Sequence, residues 1–593
     1  VLSLGLLSAG PAVAAEKVAG KGRLKKANLT AGKAAEEKPL PFERKWLEPY
    51  FVSGPLAAPA EAFRREEWRK ASAGFLAATK GMARSNPERA PARFLLAMAE
   101  MNQSDWDEAG NVFEALYEQY PLLSAYHAHY AARCRLRKGD YDGALVWAKK
   151  VPEGAILEAE TVLIELDALT ALERFAEVEK KAADFLQRFP AGPRRAEAMF
   201  RRAEAMEKIA APAAEIAALY RRIWAEAPLE AWARRAEERL SALVAKQPAR
   251  PQAGKAPTTP EPADLGAFTA SEWLQRGMEL FERNQNEDSE GAFVKALEAS
   301  PAGPGSADLR CKAEFHRAQS IFKQRQRTRA APFFTRAEAA CREAKNDDLY
   351  VKSLYQGGRC YHNIGEYAQA LVKYAAIEKE APKHSYADDA RLRAAEVQTA
   401  SEHPAEAAAL LSSLADTYPG GDQAGEAMWR MALAAIQAKD WVEANRWLDQ
   451  NLERIPRESI WYAEGRALYW KARVALARDP KDKDQRAAAL ALYTRAIREY
   501  PLSVYTLLAF ERMRTEFPQA RGKLMRELRT QLVGAGSKST WQFAPRVLYG
   551  KPEFKRAVEL ARLGIGSDAR REIYRLGLGA AETRDAARAV DKA

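Results

Sequence analysis

One sequence unit returns along most of this chain, usually every 34 to 40 residues, and it constrains the fold more than any other feature. Its clearest copy is LYQGGRCYHNIGEYAQALVKYAAIEKEAP, residues 354–382. Gly358 and Tyr361 share a first predicted helix; Ala370, Tyr374 and Ile377 share a second, which Pro382 ends. The second-helix signature recurs at Ala109, Phe113, Leu116 and Pro121, at Val178, Ala182, Phe185 and Pro190, and at Ile216, Tyr220, Ile223 and Pro228. It returns at Ala407, Leu411, Leu414 and Pro419, at Ala444, Leu448 and Pro456, and at Ala489, Tyr493, Ala496 and Pro501, with weaker copies at Ala144, Ala292 and Ala330. A small residue lets two helix backbones approach, the ring one turn later fills the gap, and a proline just past the end stops the helix. A single hairpin of this kind leaves an apolar face uncovered, so the hairpins must stack.

This spacing is that of tetratricopeptide-like repeats. It predicts an all-α fold, an α-solenoid or superhelix of helical hairpins. Good helix formers dominate, and long alternating β-branched runs are absent, so no sheet is expected. Residues 41–245 and 266–500 read as repeat arrays. Residues 246–265, KQPARPQAGKAPTTPEPADL, hold five prolines and read as a linker between two arrays or as an extended excursion within one. Residues 16–40 are polar, basic and poor in aromatics, the composition of a flexible leader.

The 92 basic residues outnumber the 80 acidic ones, but the two kinds are interleaved in stretches such as RREEWRK and RRAEERL. That pattern describes solvated helix faces with i,i+4 pairs and argues against a nucleic-acid partner. Residues 1–15, VLSLGLLSAGPAVAA, resemble the rear of a signal peptide, with Ala12-Val13-Ala14 or Val13-Ala14-Ala15 before the cleavage point. A folded first helix is the alternative. No Cys stands at that point, which argues against a lipid anchor there. No other stretch is apolar enough to span a bilayer, so a soluble periplasmic protein is expected after cleavage.

Catalytic signatures are missing. The histidines 127, 129, 316, 362, 384 and 403 form no metal spacing, and GAGSKS at 534–539 lacks the spacing of a phosphate loop. Glu458-Ser459 follows a proline, and Ser459 reads as a helix cap or first-turn residue. No cofactor or metal is implied. Cys134, Cys311, Cys341 and Cys360 form no CxxC. Cys311 begins one predicted helix and Cys341 ends the next, so an oxidising compartment would allow them to pair; buried free thiols are the commoner outcome.

The last third carries a more specific pattern. Tyr469, Trp470, Ala472 and Arg473 lie on one helix, and Tyr500, Pro501, Ser503, Tyr505, Leu508 and Ala509 follow in YPLSVYTLLAF. Farther on, RAVELARLGIGSDARREIYRLGL (556–578) gives an apolar helix, a glycine turn and a charged helix. These segments resemble the soluble lytic murein transglycosylases, in the helical linker that precedes their catalytic domain. The resemblance implies a periplasmic protein acting on peptidoglycan glycan strands, with residues 501–593 as the linker-like segment. It also implies a lysozyme-like domain whose Glu-Ser and Gly-Leu-Met-Gln motifs have no counterpart here, so no catalytic residue is carried over and the chain reads as a fragment. The expectation is therefore the non-catalytic superhelical part of such an enzyme, guiding glycan strands. The alternative is a periplasmic repeat scaffold for envelope proteins.

Overall fold

A computed structural model describes residues 38–192, 194–246, 266–301, 303–533 and 543–577. The signal-like segment 1–15, nearly all of the leader, the Pro-rich stretch from 247 on, GAGSKS and the closing residues 578–593 lie outside them. The described residues form 27 α-helices and two short strands, grouped in two compact units. One unit runs from Ser53 to Thr540; the other combines residues up to Val52 with those from Trp541.

The larger unit is a stack of antiparallel hairpins. The pair Asp347–Asn363 and Tyr367–Glu380 shows how the sequence builds one. Asn346 caps the first helix by accepting the Leu349 N–H at 3.1 Å. Ala370, Tyr374 and Ile377 of the second helix are fully buried. Gly358 of the first helix meets the Tyr374 ring so closely that a Cβ there would lie 2.7 Å from its Cε1. Ala97, Ala132, Ala318, Ala395 and Ala432 fill the matching slot elsewhere, and all are buried.

Nearly every turn between the two helices of a hairpin contains one residue in the left-handed region. Gly139 and Gly365 serve two of these turns; Ser104, Glu173, Ala210, Asn284, Arg325, Glu402 and Lys439 serve others. The turn geometry dictates this conformation, and glycine adopts it without a side-chain penalty.

The stack crosses the Pro-rich stretch. Ala270–Glu282 packs against Ala213–Glu226 as well as against its own hairpin partner. Trp224 stacks on Phe268 at 3.8 Å and meets Trp273 edge-on at 4.6 Å. Arg276 lies over the same indole at 4.1 Å and donates to the Trp224 carbonyl at 2.7 Å, while Arg221 pairs with Glu272 at 3.0 Å. Thr269 and Glu272 form a capping box that starts the incoming helix. The described residues on both sides thus belong to one array.

Cys311 and Cys341 are bonded, Sγ to Sγ, at 2.13 Å, in place of the separate thiols that the sequence favoured. They lie in the second turn of Ala307–Lys323 and the last turn of Arg327–Glu343, at the same end of one hairpin. Cys134 and Cys360 are buried thiols, and burial pushes the pKa of each up to about 12.

The smaller unit contains a structure that the sequence reading did not anticipate. Strand β1 (Leu40–Phe42) pairs antiparallel with β2 (Phe543–Arg546), although no sheet was expected. With three and four residues, these strands are too short to display a period of two. Phe42 is buried among Trp46, Phe543, Tyr549 and Phe554, with ring centroids 5.1–5.4 Å away. The helices Pro552–Arg562 and Gly566–Arg575 form a hairpin closed at Gly564, which is left-handed. Tyr50 donates to Glu559 at 2.7 Å, and Arg562 donates to the Glu48 carbonyl at 3.2 Å. Residues 41–52, grouped above with the first array, therefore belong with 543–577, and residues 501–533 belong with the repeat stack.

Candidate functional site

First helices of successive hairpins touch one another as well as their own partners, as Ala270–Glu282 does with Ala307–Lys323, and Arg466–Arg478 with Val504–Glu516. Their side chains therefore form a continuous face along the array, and cations and rings alternate on it. Lys323 Nζ lies 3.5 Å from the centre of the Phe281 ring. Arg359 lies 5.2 Å from that of Phe322. Arg393 reaches the Tyr355 hydroxyl at 3.4 Å, and Arg466 lies 5.0 Å from the Trp429 ring. In each case the cation belongs to the first helix that follows the one bearing the ring. A cation over a ring is worth about 0.5–1 kcal/mol when exposed and more when water is excluded.

Two glutamates tie the ladder together. Glu396 accepts from Arg393 at 2.6 Å and from Arg430 at 2.7 Å. Glu426 accepts from Arg430 and from Arg466, both at 3.0 Å. Burial works against the ionised form of Glu396, yet Arg393 and Arg430 hold its carboxyl below the usual range. Arg359 and Arg473 form no ion pair with a carboxylate among the described residues. Arg359 donates to Gln356 at 3.0 Å, and Arg473 approaches the Tyr469 hydroxyl at 3.4 Å.

The family-motif residues gather at the C-terminal end of this face. The Tyr469 ring lies 5.6 Å from Trp470, 5.7 Å from Tyr505 and 5.9 Å from Tyr493. Trp470 also meets Trp429 at 5.6 Å. Ala472 is buried in the hairpin core. Ser503 caps Val504–Glu516 by accepting the Thr506 N–H at 3.1 Å, and Pro501 lies in the exposed turn before it. The Tyr500 hydroxyl accepts the Glu458 N–H at 2.8 Å. Ser459 starts no helix, because the next one begins at Arg466. The Glu458 carboxylate itself accepts the Ser459 and Ile460 N–H groups, each at 3.0 Å, and so closes the turn. His127 is enclosed by Phe94, Phe113 and Tyr120, and burial lowers its pKa to about 3.

Asp388, Asp389 and Asp422 are the one group of potential metal ligands among the described residues. Asp388 accepts the Gln423 N–H, and Asp389 accepts from the Gln423 side chain, each at 3.1 Å. Burial, then Asp388 and Asp422, push the Asp389 carboxyl from its ordinary 3.8 up to about 7. The folded chain thus holds a proton there that the unfolded chain releases, and stability falls as pH rises from about 4 to 7. Asp389→Asn is expected to melt like the parent at pH 4 and to be more stable by about 4 kcal/mol at pH 8. Denaturant titrations at the two pH values measure the difference.

The described hairpins make an α-solenoid of tetratricopeptide-like repeats. Two family models match parts of the chain: a tetratricopeptide-repeat model matches residues 91–122, and the model of the outer membrane lipoprotein YfiO matches residues 347–516. No curated protein matches the chain. Among solved structures, it is similar to PilF of Pseudomonas aeruginosa at 16% identity and a TM-score of 0.27, over 40% of this chain and 94% of that one. It is similar to YrrB, a tetratricopeptide protein with an unusual peptide-binding site, at 18% and 0.23, over 40% and 93%. It is also similar to the Naa15/Naa10 complex bound to HypK-THB, at 14% and 0.29, over 88% and 84%. No helix among the described residues is long and apolar enough to cross a membrane.

Proposed function

We propose that this chain is a tetratricopeptide scaffold of the cell envelope that holds protein partners on the first-helix face between Asp347 and Glu516. One coincidence carries the reading: the interlocked part of the ladder, with Arg359 and Arg473 lacking carboxylates, falls within the YfiO-like segment. Cations and rings at fixed spacing suit a polypeptide, which supplies carboxylates and apolar side chains at regular intervals. The test is a photo-crosslinking residue placed in cells at Arg359 or Arg473, and for comparison at the exposed second-helix residues Val372 or Val442. Crosslinks to envelope proteins are expected from the first pair only; equal yields from both pairs would remove the face from consideration.

A second reading is favoured by the meeting of Tyr469, Trp470, Arg473 and Tyr505, which the sequence separates by up to 36 positions. Those are the residues that resemble the lytic transglycosylases. On that reading the array supports glycan strands for a lysozyme-like domain. Retention on insoluble peptidoglycan at low salt is its expected result, and a protein that washes through leaves the scaffold alone.

A further inference from the structure

The helix Val504–Glu516 ends the series of first helices and carries an apolar stripe that no described residue covers. Val504, Leu507 and Leu508 are 54%, 67% and 41% exposed, and Leu502 just before the helix is 97% exposed. The spacing i, i+3, i+4 puts the three helical residues on one face. Buried Thr506, Ala509 and Met513 hold the opposite face against the array, so the stripe is not a core surface displaced by a shift of the helix.

The surroundings of the stripe are charged with one sign in excess. Arg512 and Arg514 flank it on either side, and both lie near the Glu511 carboxylate together with Arg521 of the next helix. Arg514 pairs with Glu511 at 2.5 Å, and Arg512 reaches Glu516 only at 3.8 Å. With Arg473 close to Arg512 and Glu516 around Tyr493, four arginines stand against Glu511 and Glu516. The stripe is also continuous with the ladder, since Tyr505 and Leu508 are neighbours at i, i+3 and the Tyr505 ring lies 5.7 Å from that of Tyr469.

We propose that Val504–Glu516 docks an amphipathic helix of a partner protein whose apolar stripe is bordered by carboxylates. The proposal rests on the scaffold reading and names the partner chemistry. A helix matches the stripe, which spans little more than one turn and takes anchors at i, i+3 and i+4. Carboxylates at its borders would meet the guanidinium groups that Glu511 and Glu516 leave under-neutralised. An anionic bilayer fits less well: the stripe spans little more than one turn, whereas a helix that lies in a headgroup layer presents a long apolar face.

The probe is a synthetic amphipathic peptide with a leucine stripe flanked by glutamates; its counterpart carries lysines at those positions. Fluorescence anisotropy against the full chain is expected to show the glutamate peptide binding at least about tenfold more tightly. Leu507→Ser with Leu508→Ser changes only exposed positions; it should leave the melting temperature unchanged and weaken that binding about tenfold. Arg512→Glu with Arg514→Glu should shift the preference toward the lysine peptide. Equal binding of the two peptides, binding of neither, or undiminished binding to the leucine variant overturns the proposal. So does tighter association with phosphatidylglycerol vesicles, or a dimer in sedimentation, that the leucine substitutions abolish. Failure here with crosslinking at Arg359 intact removes this docking site and leaves the scaffold; loss of face-selective crosslinking removes the scaffold itself.

Discussion

Replacing Gly358 by valine is expected to lower the stability of the array by about 3 kcal/mol, near the upper end of what overpacking a core costs. The Tyr374 ring occupies the space: Cε1, Cζ and Cδ1 lie 2.7, 2.9 and 3.2 Å from where the new Cβ would stand. The ring is fully buried, and Ala370 and Ile377 beside it are fully buried too, so it has no room to withdraw. Valine is a somewhat better helix former than glycine, but that gain is a fraction of a kcal/mol. Denaturant melting followed by circular dichroism measures the loss. Pairing the substitution with Tyr374→Leu should recover part of it, because the smaller side chain vacates the contact. If Gly358→Val melts like the parent, the two helices are not packed as described.

The second large effect concerns Cys311 and Cys341. Their bond closes a loop of 30 residues within the hairpin. On the chain-entropy account, a loop of this length stabilises the fold by about 3–4 kcal/mol. Cys341→Ser, or reduction of the parent, should lower the denaturant midpoint correspondingly, and reduction should add nothing once the serine is in place. Thiol titration under denaturing conditions supplies an independent reading: two reactive thiols before reduction, Cys134 and Cys360, and four after it. Four at the outset would remove the bond.

The hairpins were legible because their marks are local. A small residue, a ring and a proline lie within one helix length, as at Ala109, Phe113 and Pro121, and all respond to the same helix–helix approach. The turns were less legible. Their left-handed residues are more often side chains such as Glu402 and Lys439 than glycine, so the conformation is imposed by the stacking and leaves little mark on composition. The pairing of Leu40–Phe42 with Phe543–Arg546 was hidden by brevity and by the 500 residues between them. The ladder was missed for another reason. Phe322 and Arg359, or Trp429 and Arg466, are 37 positions apart, and each repeat uses a different ring or cation. A search for a cation one repeat length after an aromatic would have found it. The gathering of Tyr469 and Tyr505 is of the same kind, since contact between them exists only after the hairpins stack.

Trp224 seats Phe268, Trp273 and Arg276 from beyond the Pro-rich stretch. In a linear array each hairpin is coupled only to its neighbours, so one weak junction suffices to split melting into two transitions. Here the junction is among the most aromatic in the chain. Heat and denaturant should therefore spread through it as through any other, and the long insertion should be invisible to the cooperativity of unfolding.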